Sequence, residues 1–171
     1  HGNSVTGEAT HYVSHAWDAP FPQLVSALDV MISTDSLNPA LVFFWIDIFS
    51  LQQHKAHIDK RMNEVEIMTR DAIKNIDHVV LVLDSWDQHL ALTRSWCLWE
   101  ILCTLSAKKH LEIFLPGQAL YDLHNNLLQR FPEVCTALTT IHYKESECFD
   151  SSVFRRIIAA INSVGEKRAT R

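Results

Sequence analysis

Five short runs of apolar, aromatic and β-branched residues alternate along this chain with segments whose apolar residues recur at helical spacing. The runs are His11–His15, Leu41–Ile48, Val79–Leu83, Leu111–Leu115 and Leu138–Tyr143. Leu24, Leu28 and Met31 mark a first helix face, and Ile58, Met62, Val65, Met68 and Ala72 a second. The apolar stretch Leu92–Leu105 is a third helix, apolar on most sides and therefore largely buried. Leu120, Leu123, Leu127 and Phe131 form a fourth face, stopped by Pro132, and Val153, Ile157 and Ile161 a fifth, capped by Asp150. Leu41–Ile48 and Val79–Leu83 lack polar alternation, the pattern of strands buried on both faces.

Strands and helices that alternate in this way build a parallel sheet covered on both sides. The expected fold is α/β: a flavodoxin-like, doubly wound, five-stranded parallel sheet of order 2-1-3-4-5, formed by residues 11–164 as a single domain. Residues 1–10, small and polar, and 165–171, charged, are expected to be flexible ends. A chain that begins at His1 rather than Met reads as a fragment or a processed product. Ligands of doubly wound sheets bind outside the carboxyl ends of the strands, at the switch point of the strand order. That rule nominates Ser14–Asp18, Asp47–Ser50 and Asp84–Asp87.

Composition narrows the function classes. With 171 residues, 47% of them hydrophobic, and only 4 Gly and 5 Pro, the chain has material for a core and too little Gly and Pro for disorder. Fifteen basic against twenty acidic residues, net −5, give no basic face for nucleic acid. No apolar run approaches the roughly 20 residues of a membrane span, and no basic–apolar–small leader precedes the first strand. Cys97, Cys103, Cys135 and Cys148 contain no CxxC pair and read as reduced thiols, so a cytoplasmic setting is expected. The histidine pairs His11/His15 and His54/His57 have no carboxylate at ligand spacing; neither a metal nor a cofactor is expected.

One residue stands out. Glu100 is the only acidic residue between Asp87 and Glu112, and its helix-surface neighbours Trp96, Cys97, Cys103 and Thr104 are apolar or uncharged. A carboxyl group so placed has a partner, opens onto a cleft, or carries a raised pKa. A purely structural role, with Glu100 satisfied by backbone N–H groups or by Arg94, fits the spacing equally well.

The surrounding residues resemble a known family. Trp96-Cys97-Leu98-Trp99-Glu100-Ile101 is similar to the WCxxEL signature on the third helix of TIR (Toll/interleukin-1 receptor) domains. Tyr12-Val13-Ser14-His15-Ala16 resembles their first-strand FISHA motif, and Phe44-Trp45-Ile46-Asp47 their second strand, which ends in Asp. The resemblance covers His11 to Val164, in order, and is nearest to a divergent TIR-like branch. It departs from the common pattern after the second strand, where Phe49-Ser50-Leu51-Gln52-Gln53-His54-Lys55 has no Arg-Pro-Gly element.

Many TIR domains cleave NAD+ between nicotinamide and ribose with the Glu of that signature, so the resemblance assigns Glu100 the catalytic role. One carboxylate suffices, because nicotinamide departs neutral without a general acid, whereas an ordinary glycosidase must protonate its leaving oxygen. The resemblance and the switch-point rule together nominate Ser14, His15, Ala16, Trp17, Asp47, Phe49, Ser50 and Trp86 as substrate-binding, the aromatics by stacking on a base. NAD+ is then the substrate, water or adenine captures the ribose, and homo-oligomers form through TIR–TIR contacts. The alternative is a non-catalytic TIR-like signalling module acting by homotypic assembly; the two differ in whether Glu100 opens to a crevice or is sealed. A receiver-type phosphoacceptor, with Asp84 after the third strand and Lys144 after the fifth, lacks the paired acids such sites need after the first strand.

Overall fold

The computed structural model describes residues 6–51, 58–148 and 150–169. It is an α/β fold in which four parallel strands lie in the order β2-β1-β3-β4. The strands are β1 (His11–Ser14), β2 (Phe44–Ile46), β3 (His78–Val82) and β4 (His110–Phe114). The helices are α1 (Phe21–Thr34), α2 (Asp47–Ser50), α3 (Ile58–Asn75), α4 (Ser95–Ala107), α5 (Gly117–Leu127), α6 (Phe131–Thr139) and α7 (Ser151–Ala169).

The alternating directions of the β1 and β3 side chains sort the core into layers. Val13, Val80 and Val82 point to one side and pack with Leu24, Ala27, Leu28 and Met31 of α1. Tyr12 and Val79 point to the other, where Ile73 of α3, Trp99 and Cys103 of α4, and Val153 and Ile157 of α7 close over them. Toward the carboxyl ends of the strands, Leu81 of β3 and Leu83 just after it meet Cys97 of α4 and Val134 of α6. Each such aliphatic side chain contributes about 1.5–3 kcal/mol of burial.

The fifth strand is the main correction. Leu138–Tyr143 forms no strand: α6 runs through Thr139, and Tyr143–Glu145 is a short 3-10 turn. Pro132 sits in the first turn of α6, where its missing N–H costs nothing, so it opens a helix instead of ending one. Thr136 and Thr139 donate their hydroxyls back to the carbonyls of Pro132 and Cys135, which accommodates these β-branched residues in helix. Downstream, Glu147 bridges not to β4 but to Arg94, with Glu147 N–H donating to Thr93 O at 2.7 Å and Ser95 N–H to Glu147 O at 3.0 Å.

Smaller differences have local causes. The second strand is three residues long rather than eight, because Asn38 accepts from Ala40 N–H and starts a 3-10 turn at Pro39, and Asp47 already begins α2. The loop expected over Ser50–His57 lies mostly outside the described residues, as do His54 and His57. Asp150 caps α7 as expected, accepting from Ser152 N–H at 2.6 Å and Val153 N–H at 3.0 Å. The α7 backbone continues to Ala169, past the boundary expected at Val164. Among the described residues no helix is long and apolar enough to cross a membrane.

Candidate active site

Tyr12 and Ser14 are two apart on β1 and so share a face, the one that α4 covers. Glu100 stands on the second turn of α4 and reaches both. Tyr12 donates its phenol to Glu100 Oε1 at 2.5 Å, and Ser14 donates Oγ–H to Glu100 Oε2 at 2.5 Å. The backbone carbonyl of Glu100 accepts from Thr104 Oγ1 at 2.7 Å, which ties the residue to the next turn. Only 6% of Glu100 is exposed.

Burial is the main reason that the Glu100 carboxyl is pushed up to about 8, and the charge of Asp47 adds to it. The hydroxyls of Ser14 and Tyr12 and the guanidinium of Arg94 oppose the rise without cancelling it. At neutral pH the group is therefore mostly the neutral acid. Burial, with Glu100 beside it, likewise holds the Tyr12 phenol well above its ordinary value. Trp45 stacks on the Tyr12 ring, centroids 4.6 Å apart, and fixes its orientation.

A polar rim surrounds this centre. Trp17 donates its indole N–H to Asp47 Oδ2 at 2.7 Å, while Asp47 Oδ1 accepts from Ile48 N–H, so the carboxylate links the loop after β1 to the start of α2. His15 Nδ1 lies 3.9 Å from Asp47 Oδ1 and makes no hydrogen bond, although the residue is only 9% exposed. Burial holds this imidazole below its ordinary pKa, against the pull of Asp47. Arg94 pairs with Asp18 at 2.5 Å, and its charge favours the ionised form of Glu100.

The nominated residues thus divide. Ser14 touches Glu100; His15, Trp17 and Asp47 form the rim beside it. Phe49 and Ser50 follow Asp47 on α2 and are exposed, with Phe49 edge-on to Phe21, centroids 6.0 Å apart. Ala16 and Trp86 are packed into the apolar cluster with Cys97 and Val134. Arg130 lies over the Trp86 ring at 5.7 Å, and both line a groove of about 400 Å³ with Asp87, Pro132 and Glu133. Trp96 and Cys97 serve packing: Cys97 is buried and donates Sγ–H to His15 O at 3.4 Å. Asp84 accepts from Leu90 N–H and shapes the loop after β3.

Tyr12 is the site residue that sequence reasoning missed. The available signal was a second hydroxyl two residues before Ser14 on a strand whose helix-covered face also receives the isolated Glu100. What the arrangement can do follows from its parts: it presents a carboxyl group, already matched to two hydroxyl donors, beside an unbonded neutral imidazole and an exposed indole. Compared with models of protein families, with curated proteins and with solved structures, the chain matches none.

Proposed function

We propose that this domain cleaves NAD+ at the bond between nicotinamide and ribose, with Glu100 stabilising the oxocarbenium-like sugar. The observation that carries the proposal is the pair of hydroxyls on the Glu100 carboxyl, one on each oxygen. A ribose diol offers the same donor pattern, and Ser14, at the end of β1, is the donor that it would replace. The TIR resemblance of Trp96–Ile101 supports the same assignment.

The chemistry is compatible with a carboxyl that is neutral before substrate arrives. The nicotinamide ring of NAD+ is a cation, and a cation nearby favours the charged form of Glu100. The glycosidic C–N bond then breaks with its electron pair leaving on the nicotinamide nitrogen. Positive charge develops on the ribose, where a preoriented carboxylate in a water-poor setting stabilises it. Capture by water gives ADP-ribose and a proton; capture by the adenine gives a cyclic product. Trp17 and Phe49, 46% and 68% exposed, are the stacking surfaces nearest the rim.

A second reading is favoured by the closure of the site. Both oxygens of Glu100 are occupied and the residue is buried, as a structural knot in a non-catalytic, homotypically assembling module would be. Nicotinamide release and product chromatography, on the unaltered chain and Glu100→Gln at high protein concentration, separate the two. Turnover lost in a folded Glu100→Gln supports the enzyme. Absence of turnover in both supports the module, and turnover that survives the substitution removes Glu100 from the chemistry.

A further inference from the structure

We propose that His89 is a proton-operated clasp: with both ring nitrogens protonated it ties the loop after β3 to the carboxyl end of α6, and loss of one proton releases that end. The proposal is independent of either functional reading.

His89 is buried and stands directly before a 3-10 turn over Leu90–Thr93. Its Nδ1 lies 2.9 Å from Ser85 O and its Nε2 2.9 Å from Ala137 O. Both partners are peptide carbonyls, which only accept, so the two bonds together need an N–H on each nitrogen. A neutral imidazole has one N–H. It holds Ser85 or Ala137 but not both, and its bare nitrogen then faces a carbonyl oxygen, acceptor against acceptor, in a buried place.

The bond to Ala137 is the one that yields. On the loop side, Ser85 Oγ donates to Gln88 O and accepts from Gln88 N–H, and Asp84 Oδ1 accepts from Leu90 N–H. These bonds keep Ser85 beside His89 without help from the ring. Ala137 is in the last turn of α6, where a carbonyl has no N–H of its own helix to accept from. The ring supplies that donor, and a cation at this end of a helix is favoured by the helix dipole.

The released end borders the groove in which Trp86 and Asp87 face Arg130, Glu133 and Ala137. Val134 stays buried in the core and Arg130 stays over Trp86, so the opening is confined to the carboxyl end of α6. The charged groups on the two joined segments are Asp84 and Asp87 on the loop, and Arg130 and Glu133 at the start of α6, which also carries the Cys135 thiol. The turn that packs on Leu90–Thr93 adds Lys144 and Glu145, with His142 before it, and Arg94 and Glu147 bridge beyond it. The carboxylates favour the imidazolium, and the cations oppose it.

Nitrogen-15 NMR of the histidine-labelled 171-residue chain tests the proposal from pH 5 to 8, the interval in which histidine changes charge. Hydrogen exchange of the Thr140 amide, which donates to Thr136 O at the end of α6, is followed in parallel. Both His89 nitrogens are expected to carry protons at the low end, and Nε2 to lose its proton as the pH rises while Nδ1 keeps its own. In the same step Thr140 exchange quickens about fivefold beyond its intrinsic rise with pH. In His89→Gln that extra step disappears; through-bond assignment of the unaltered chain decides the matter even where the variant fails to fold. A ring that is neutral at every pH overturns the proposal, and so does one that keeps both protons throughout. Titration of the ring with no change in Thr140 exchange, or an exchange step that survives in His89→Gln, overturns it as well.

Discussion

Ser14 Oγ and Glu100 Oε2 stand 2.5 Å apart across 86 residues of sequence, and this contact fastens the end of β1 to the second turn of α4. The hydroxyl favours the ionised carboxylate and so restrains the rise that burial imposes. Ser14→Ala is therefore expected to move the titration of Glu100 further up from about 8, read by carboxyl carbon NMR of labelled protein. Losing a buried partner of this kind costs about 1–3 kcal/mol, which urea denaturation measures.

Stability should fall with rising pH because of Glu100. Its folded-state pKa of about 8 is above the ordinary value of 4.5, so between those values the folded chain holds a proton that the unfolded chain has released. The contribution is complete below about 4.5, declines through the interval and levels off above about 8. Urea denaturation across that range should show the slope in the unaltered chain. Glu100→Gln, which cannot titrate, should lose this part of it; an unchanged slope would assign the pH dependence to other groups.

Asp47 acts on Glu100 through its charge. Neutralising it in Asp47→Asn removes a contribution that raises the Glu100 pKa, and the titration should shift down. The same substitution changes the acceptor of the Trp17 indole N–H. If the domain turns over NAD+, the ascending limb of its pH–rate profile should move to lower pH, and indole N–H exchange at Trp17 should quicken. Opposite shifts in Ser14→Ala and Asp47→Asn are the signature of one titrating centre.

The thiols should differ sharply in reactivity. Burial raises the Cys97 thiol far above its ordinary pKa and pushes that of Cys103 up to about 11. Cys135 and Cys148 are half-buried. Since the thiolate is the nucleophile, iodoacetamide followed by mass spectrometry is expected to label Cys135 and Cys148 in the folded chain. Cys97 and Cys103 should label only on unfolding.

Much of this architecture was legible because continuous apolar runs such as Val79–Leu83 have few alternatives in a chain with helical segments on either side. Residues 138–143 were not, since Thr139, Thr140 and Ile141 carry strand propensity while the deciding event is local: Pro132 starts a helix and threonine hydroxyls bond back within it. Propensity also could not reveal that Glu147 has its partner at the start of α4. At the site, the isolation of Glu100 in an apolar stretch announced a partnered or shifted carboxyl. Which groups partner it depends on the facing of β1 against α4, a tertiary relationship, and so Tyr12 escaped while Trp86 and Ala16, nominated by their position after a strand, turned out to be core.

The bridge between Ser95 and Glu147 has a consequence for the order in which the molecule is made. The first peptide N–H of α4 has its acceptor in Glu147, and the Ser95 hydroxyl has its partner in Ser146. On the ribosome, the helix that carries Glu100 emerges well before the segment that anchors its beginning. A nascent chain halted ahead of residue 146 lacks that anchor, so the final seating of the carboxyl against β1 waits for residues 146 and 147 to emerge.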